Sequence, residues 1–278
     1  MCPNAMPRGP FWPSRTFTTL EFNMIRTTFR LLISAVAVIT ATAYGPASDS
    51  DGYVSLFNGK DLTGWKIHPQ TNDDWVKSIS EKTENGKVVA LIGKVYTTKL
   101  DKKKGEKPED KETKNVTLWE VKDGLLIGGG PMSHIYTDAS NYSNFRFRVE
   151  MKINDKGNSG MFFRSGYRGG VPKGYEAQLN ATHSDRVKTG SIYPNGEFGL
   201  DKFKAVTCVM DKAAHKPDEF FTQEVIADGP KLTTYVNGVK QIEWTDPDHR
   251  FKEGHFALQA HDPGSIMTFR KVEVKVIK

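Results

Sequence analysis

Residues 143–153, SNFRFRVEMKI, alternate without a break: Phe145, Phe147, Val149, Met151 and Ile153 fall on one side, Arg146, Arg148, Glu150 and Lys152 on the other. Side chains leave a strand to opposite faces in turn, so this segment predicts a sheet with one apolar and one polar face. The pattern returns at 233–242 (TTYVNGVKQI), where Asn237-Gly238 marks a type I′ hairpin turn, and again at 255–261 (HFALQAH) and 268–276. Residues 119–126 (WEVKDGLL) form a further hairpin turning at Asp123-Gly124. Residues 53–65 (YVSLFNGKDLTGW) open the domain, with a turn at Asn58-Gly59 and Trp65 as an anchor. Helix periodicity is nearly absent. Many short antiparallel strands joined by Gly, Pro, Asn and Asp turns predict an all-β, two-sheet sandwich of the jelly-roll type.

Not all of the 278 residues belong to that domain. Residues 1–23 read as an over-extended start. From Met24, Arg26 and Arg30 precede an apolar run at 31–42 (LLISAVAVITAT), and Ala41 and Ala43 supply an A-x-A cleavage site. Residues 24–43 are therefore expected to be a secretory signal. The run is shorter than the roughly 20 residues a membrane span needs. The remainder, 44–278, is expected to act as a single exported domain, periplasmic or extracellular. It keeps one cysteine, Cys208, which excludes an internal disulfide; within KAVTCVMDK it suits a small buried apolar position. Removing four Arg and one Glu with residues 1–43 takes the net charge from +6 to +3. No basic stripe interleaved with aromatic residues points to nucleic acid. Residues 94–114 (KVYTTKLDKKKGEKPEDKETK) mix Lys with acids and lack an apolar period, as a solvated loop or long hairpin extension does.

Chemistry is expected at 158–180, NSGMFFRSGYRGGVPKGYEAQLN. Alternation puts Phe162 and Arg164 on one face, and Glu176, Gln178 and Asn180 together on another, with a glycine- and aromatic-rich loop between. A cation, a carboxylate and amides converging there suit a polyhydroxylated ligand, whereas a core sheet has no use for them. Phosphate-loop, HExxH and G-x-S-x-G patterns are absent.

Several segments in order carry a resemblance: LFNGKDLTGW at 56–65, WEVKDGLL at 119–126, YTDASNYSNFRFRVEMKI at 136–153, NSGMFFRS at 158–165, GYEAQL at 174–179, TGSIY at 189–193, YVNG at 235–238 and LQAH at 258–261. Together they resemble the bacterial 3-keto-disaccharide hydrolase domain, also described as 3-keto-α-glucoside 1,2-lyase/3-keto-2-hydroxy-glucal hydratase. The resemblance implies a concanavalin A-like jelly roll that binds sugars on or beside a concave sheet face. Two features depart from that pattern. The charged 94–114 segment is longer than the family needs, and the last motif reads QAHD where the family's is nearer Q-D-H-G, leaving Asp262 either to replace the missing acid or to form a turn with Pro263-Gly264.

Under that resemblance the substrate is a glycoside or disaccharide with a ketone at its third carbon, installed by a separate sugar oxidoreductase. The ketone acidifies the hydrogen at the second carbon; its removal expels the aglycone, and water then adds to the resulting glucal. Such a reaction needs a base, a stabiliser for the enolate oxygen and an acid. Glu176 is the candidate base, Arg164 the oxyanion partner and His261 the acid, with His134 and His183, read as loop residues, ranking behind it. The alternative for Glu176 and Arg164 is a plain ion pair. Gln178, Asn158, Asn180 and Gln259 are candidates to hold sugar hydroxyls, as are Glu150 and Arg148 if their strand lines the same concavity. Tyr136 and Tyr193 are candidates to stack on a sugar ring. No cofactor is required by the sequence; a divalent metal is an alternative way to polarise the ketone. Competing readings are a non-catalytic carbohydrate-binding module and a two-carboxylate glycoside hydrolase pairing Glu176 with Glu150.

Overall fold

The computed structural model describes residues 51–68, 74–195 and 210–278, with the backbone alone at 193–195. Its strands are β1 (Val54–Ser55), β2 (Trp65–Ile67), β3 (Val76–Glu84), β4 (Lys87–Tyr96), β5 (Thr113–Lys122), β6 (Leu125–Gly128), β7 (Ser133–Thr137) and β8 (Phe145–Ile153). They continue as β9 (Ser159–Gly166), β10 (Lys173–Leu179), β11 (Ile192–Asn195), β12 (Phe221–Asp228), β13 (Lys231–Val236), β14 (Val239–Thr245), β15 (His255–Ala260) and β16 (Met267–Val276). One sheet runs β14-β13-β12-β8-β16-β6-β5-β4-β3, with β1 added on β16; the other runs β11-β10-β9-β15-β7-β2. Every pairing is antiparallel.

The alternating segment is central to the first sheet. In β8, Phe145, Phe147, Val149, Met151 and Ile153 are fully buried while the intervening charged residues are half-buried. The apolar side faces the second sheet, where Phe147 stacks on Phe256 at 4.0 Å and Phe145 meets Phe163 edge-on at 5.9 Å. Each such side chain withdrawn from water contributes about 1.5–3 kcal/mol, so this aromatic seam is what fixes one sheet upon the other. The polar side of β8 faces away from the second sheet and makes cross-strand ion pairs: Arg146 with Glu224, and Arg148 with Glu273 at 2.9 Å.

Turn chemistry sets the hairpins. Asn85-Gly86, Asp123-Gly124 and Asn237-Gly238 join β3–β4, β5–β6 and β13–β14, and both residues of each pair have positive φ, as a type I′ turn requires. The expected turn at Asn58-Gly59 is held by the Asn58 side-chain oxygen Oδ1, which accepts from the Lys60 and Asp61 amides. Within the charged 94–114 segment, the first and last residues belong to β4 and β5, and the exposed connection contains two single 3-10 turns. Leu100 is the exception to its solvation: it is buried and anchors the connection, beside a Lys102–Asp74 ion pair of 2.9 Å. Cys208 lies outside the described residues.

Candidate active site on the outer face of the second sheet

The core side of the second sheet carries Ile135, Met161, Phe163, Tyr175, Ala177, Phe256 and Leu258. By alternation the intervening residues face outward, and the strand registers line them up in two rows. Glu176 stands opposite Phe162, Phe162 opposite Ala257, Ala257 opposite Tyr136, and Tyr136 opposite Lys66. One step along, Gln178 is opposite Gly160 and Gln259 opposite His134. The first row is mainly apolar, and its Tyr136, Phe162 and Ala257 form a small cluster separate from the main core. The second row is polar.

Gly160 shapes the polar row. A Cβ at this position would fall 2.7 Å from both Cγ and Cδ of Glu176 and closer still to its Oε1. The carboxylate therefore lies across β9 in space that any side chain there would occupy. Gln178 Nε2 donates to Asn158 Oδ1 at 2.7 Å, joining two of the expected amides. From the other side of the row His134 leans in, its ring 6.2 Å from that of Phe162 and 5.7 Å from that of His68. Glu176, Gln178, Asn158, Gln259 and His134 are all buried.

Burial, helped by the neighbouring His68, pushes the His134 imidazole down to about 3, so the ring is neutral at ordinary pH. Neither of its ring nitrogens has a hydrogen-bond partner among the described residues, and the Oε1 of the adjoining Gln259 likewise has none. The Ser133 and Gly170 backbones lie close to the ring but outside hydrogen-bonding geometry. Buried polar atoms are nearly always paired, so two neighbouring side chains left open on one face mark a place built for a ligand or water. The expectation that His134 belongs to a loop is not met: it is in β7, in a strand buried on both faces.

Gln259 is on this outer face, and His261 follows just past the end of β15. The His261 Nδ1 is 3.0 Å from Asp262 Oδ2, and its ring is 6.0 Å from that of His183. Burial raises the Asp262 carboxyl, but hydrogen bonds from His261, Ser265 and the Gly264 amide outweigh it and hold the group down at about 2. Asp262 thus makes the turn and also orients His261. Tyr136 is on the same face, its hydroxyl donating to the Arg168 carbonyl at 3.1 Å. Tyr193 is opposite Glu176 in register on β11, and its side chain lies outside the described part.

Four expected residues go elsewhere. Arg164 does not share the face of Phe162. Its φ is 49°, and the registers of β9 with β10 and with β15 both slip beside it. Such a bulge re-aims one side chain. The guanidinium donates to Ser143 O at 2.8 Å, Phe251 O at 3.2 Å and Asn144 Oδ1 at 3.4 Å, joining loops that flank the sheets. Gly254 permits the bulge, since a Cβ there would come 2.5 Å from the Arg164 carbonyl carbon. Asn180 closes its own loop, donating to Asp185 O and Val187 O and accepting from the His183 amide. Arg148 and Glu150 sit on β8, in the other sheet and on the side facing away from this one; Glu150 pairs with Arg270 there.

Two antiparallel sheets packed face to face, with a buried polar row on one outer face, define a concanavalin A-like jelly-roll sandwich. Over residues 52–275 the chain matches the 3-keto-alpha-glucoside-1,2-lyase-like domain, and it belongs to that family. A carbohydrate-active protein is therefore in hand. No curated protein matches the chain. Among solved structures it is similar to a protein from Parabacteroides distasonis, provisionally described as a glycosyl hydrolase, at 21% identity and a TM-score of 0.52, covering 82% of this chain and 95% of that one. It is also similar to the carbohydrate binding module CBM66 from Bacillus subtilis, at 21% identity and a TM-score of 0.41, over 54% of this chain and 86% of the other. For the exoplasmic/lumenal domain of VIP36 with Ca2+ and Man3GlcNAc bound, the identity is 12% and the TM-score 0.44, over 58% and 83% of the two chains.

Proposed function

We propose that the protein cleaves 3-keto-glycosides by elimination followed by hydration, with Glu176 as the base. The observation that carries this reading is the Glu176 carboxylate laid over Gly160, in a buried polar row that ends in a neutral, unpartnered His134. Membership of the 3-keto-alpha-glucoside-1,2-lyase-like family supplies the substrate class.

In this scheme Glu176 takes the proton from the second carbon of the 3-keto sugar, and the electron pair forms an enolate whose oxygen is the former ketone's. The pair then returns through the ring to make a double bond between the first and second carbons, while the bond from the first carbon to the aglycone oxygen breaks. Water adds at the first carbon and a proton at the second, giving the free 3-keto sugar. With Arg164 committed to the loops, the enolate oxygen falls to His134. A neutral imidazole carries one N–H donor and keeps it at neutral pH when burial has removed its second protonation from reach. Donors of this kind, fixed in a water-poor site, are worth about two to three powers of ten in rate. His261, oriented through Nδ1 by Asp262, has its other nitrogen left for the departing oxygen. Gln178, Asn158 and Gln259 hold hydroxyls.

Hydrolysis by two carboxylates needs a second acid about 5–10 Å from Glu176 on the same face. Glu150, the expected partner, is in the other sheet. Among the described residues no group of three or more His, Cys, Asp or Glu side chains could hold a metal ion.

The test incubates the purified protein with a 3-keto-glucoside in heavy water, with and without chelator, beside Glu176→Gln. Release of 3-keto-glucose carrying deuterium at the second carbon, lost in the variant, is the expected result. Sugar binding without cleavage, equal in both proteins, would instead leave a binding module.

A further inference from the structure

Every polar side chain of the row is buried in this structure, so a ligand enters only if something over the face moves. The described element that lies there is the connection between β9 and β10, residues 167–172. It is tied to the sheet by two hydroxyl bonds, Tyr136 to Arg168 O at 3.1 Å and Tyr167 to Ile67 O at 2.7 Å. Tyr167 also packs edge-on against Tyr136 at 5.3 Å, with the Lys66 ammonium 4.5 Å over its ring. Gly166, Gly169 and Gly170 loosen the strap. Tyr167 and Val171 are about 40% exposed, so the strap hides little apolar surface of its own. Its contact on this face is Tyr136, which with Phe162 and Ala257 forms the small apolar cluster of the sheet's outer side.

We infer that this triad, with the strap as its movable wall, is the subsite for the group that leaves the first carbon, and that it takes a planar apolar aglycone in preference to a second sugar. The inference rests on the proposed function and deepens it. Same-face residues along a strand are about 6.7 Å apart. A sugar ring held by the Gly160 row, under the Glu176 carboxylate, therefore has its substituent one step along β9, above Phe162. There the floor offers an aromatic face, a methyl group and a tyrosine ring, with the Tyr136 hydroxyl already engaged. A second pyranose would bring several hydroxyls onto a surface that pairs none of them, whereas an aryl group loses nothing there. Ala257, the smallest member, sets the depth.

The experiment compares 3-keto-glucosides with benzyl, methyl and glucosyl leaving groups, since benzyl and methyl alcohols depart with similar ease. For the natural protein kcat/KM should favour benzyl over methyl by about tenfold, the scale of one well-packed aromatic contact. Ala257→Leu fills the space and should abolish that advantage, the benzyl substrate losing more than the methyl one; Ala257→Ser, nearly isosteric, should halve it or more. Thermal melts show that the variants fold. In parallel, binding of the unoxidised benzyl and methyl glucosides is measured by titration NMR. Turnover with no benzyl preference, or a preference that Ala257→Leu leaves intact, overturns the subsite and spares the reaction. No turnover of any substrate, with a benzyl preference in binding that Ala257→Leu removes, keeps the subsite and sinks the reaction.

Discussion

Replacing Gly160 by alanine separates the position of the base from the integrity of the fold. The new Cβ would stand 2.7 Å from Cγ and Cδ of Glu176, where ordinary contacts begin at 3.4 Å, so those atoms must retreat by at least 0.7 Å and the carboxylate oxygen by more. The obstructing atoms belong to the end of a flexible side chain, and Gly160 does not have positive φ, so the backbone has no cause to shift. Removing a glycine from a strand returns up to about 0.5–1 kcal/mol of chain entropy, which offsets the crowding. Stability should therefore change by less than about 1 kcal/mol. A base misplaced by about 1 Å costs on the order of 100-fold in rate. The assay follows deuterium uptake at the second carbon of a 3-keto-glucoside together with the melting temperature. Expected is a kcat near one hundredth of the natural value, KM within a few-fold, and an unchanged melt. Gly128→Ala is the counterpart: its Cβ would strike the fully buried Trp119 ring at 2.8 Å or less, so stability should fall. Natural activity in Gly160→Ala would refute the claim that the carboxylate works from over β9.

Glu150→Gln should leave turnover within about twofold, since Glu150 faces away on the other sheet, whereas Glu176→Gln should abolish proton exchange at the second carbon; a large loss in the first would revive a two-carboxylate site. Arg164→Leu should cost about 2–4 kcal/mol in chemical denaturation, because the buried Phe251 carbonyl and the partly buried bond to Ser143 O lose a charged donor; an undiminished melt with activity gone would return Arg164 to catalysis. His134 titrates at about 3 in the folded protein and near 6.5 when unfolded, so the unfolded chain binds the extra proton between those values. Its contribution is complete above pH 6.5 and declines as pH falls towards 3, by at most about 1.4 kcal/mol per unit. His68 and His261 share its surroundings, and His134→Gln should flatten that slope in denaturation measured from pH 7 to 4; an identical slope would show that the ring is not held neutral.

How much of this was legible in the sequence depended on the range of the interactions. The alternation of β8 and the Asn-Gly and Asp-Gly hairpins are local, and both were readable as strands and turns before any coordinates. Which sheet a strand joins is not local. Nothing in RFRVEMKI says that β8 lies between β12 and β16, and so Arg148 and Glu150 could be imagined beside Glu176. The bulge at Arg164 depends on Gly254, far along the chain, which leaves room for the displaced carbonyl. A reading by strict alternation carries Arg164 to the wrong side. Asn180 was readable as polar equipment, yet its nearest unmet donors and acceptors were those of its own loop. His134 failed for the opposite reason: SHIYT is buried on both faces, so no polar alternation announces a strand.

The candidate site is defined as much by small residues as by reactive ones. Along β9 and β15 the outer face carries Gly160 and Ala257 between larger neighbours, and Gly160 leaves the room in which the Glu176 carboxylate lies. A sandwich needing only stability would fill both with β-branched or aromatic side chains, which pack better on a pleated surface. Leaving them small forgoes that packing and leaves a buried imidazole and amide oxygen without partners. Those are costs of about 1–3 kcal/mol for each unpaired polar group. A bound ligand that supplies the missing hydrogen bonds would recover them, so the natural protein should melt at a higher temperature with substrate-like sugar present. The same sugar should raise the melt of His134→Phe much less, because there the unpaired atoms are gone and the ligand has less to satisfy.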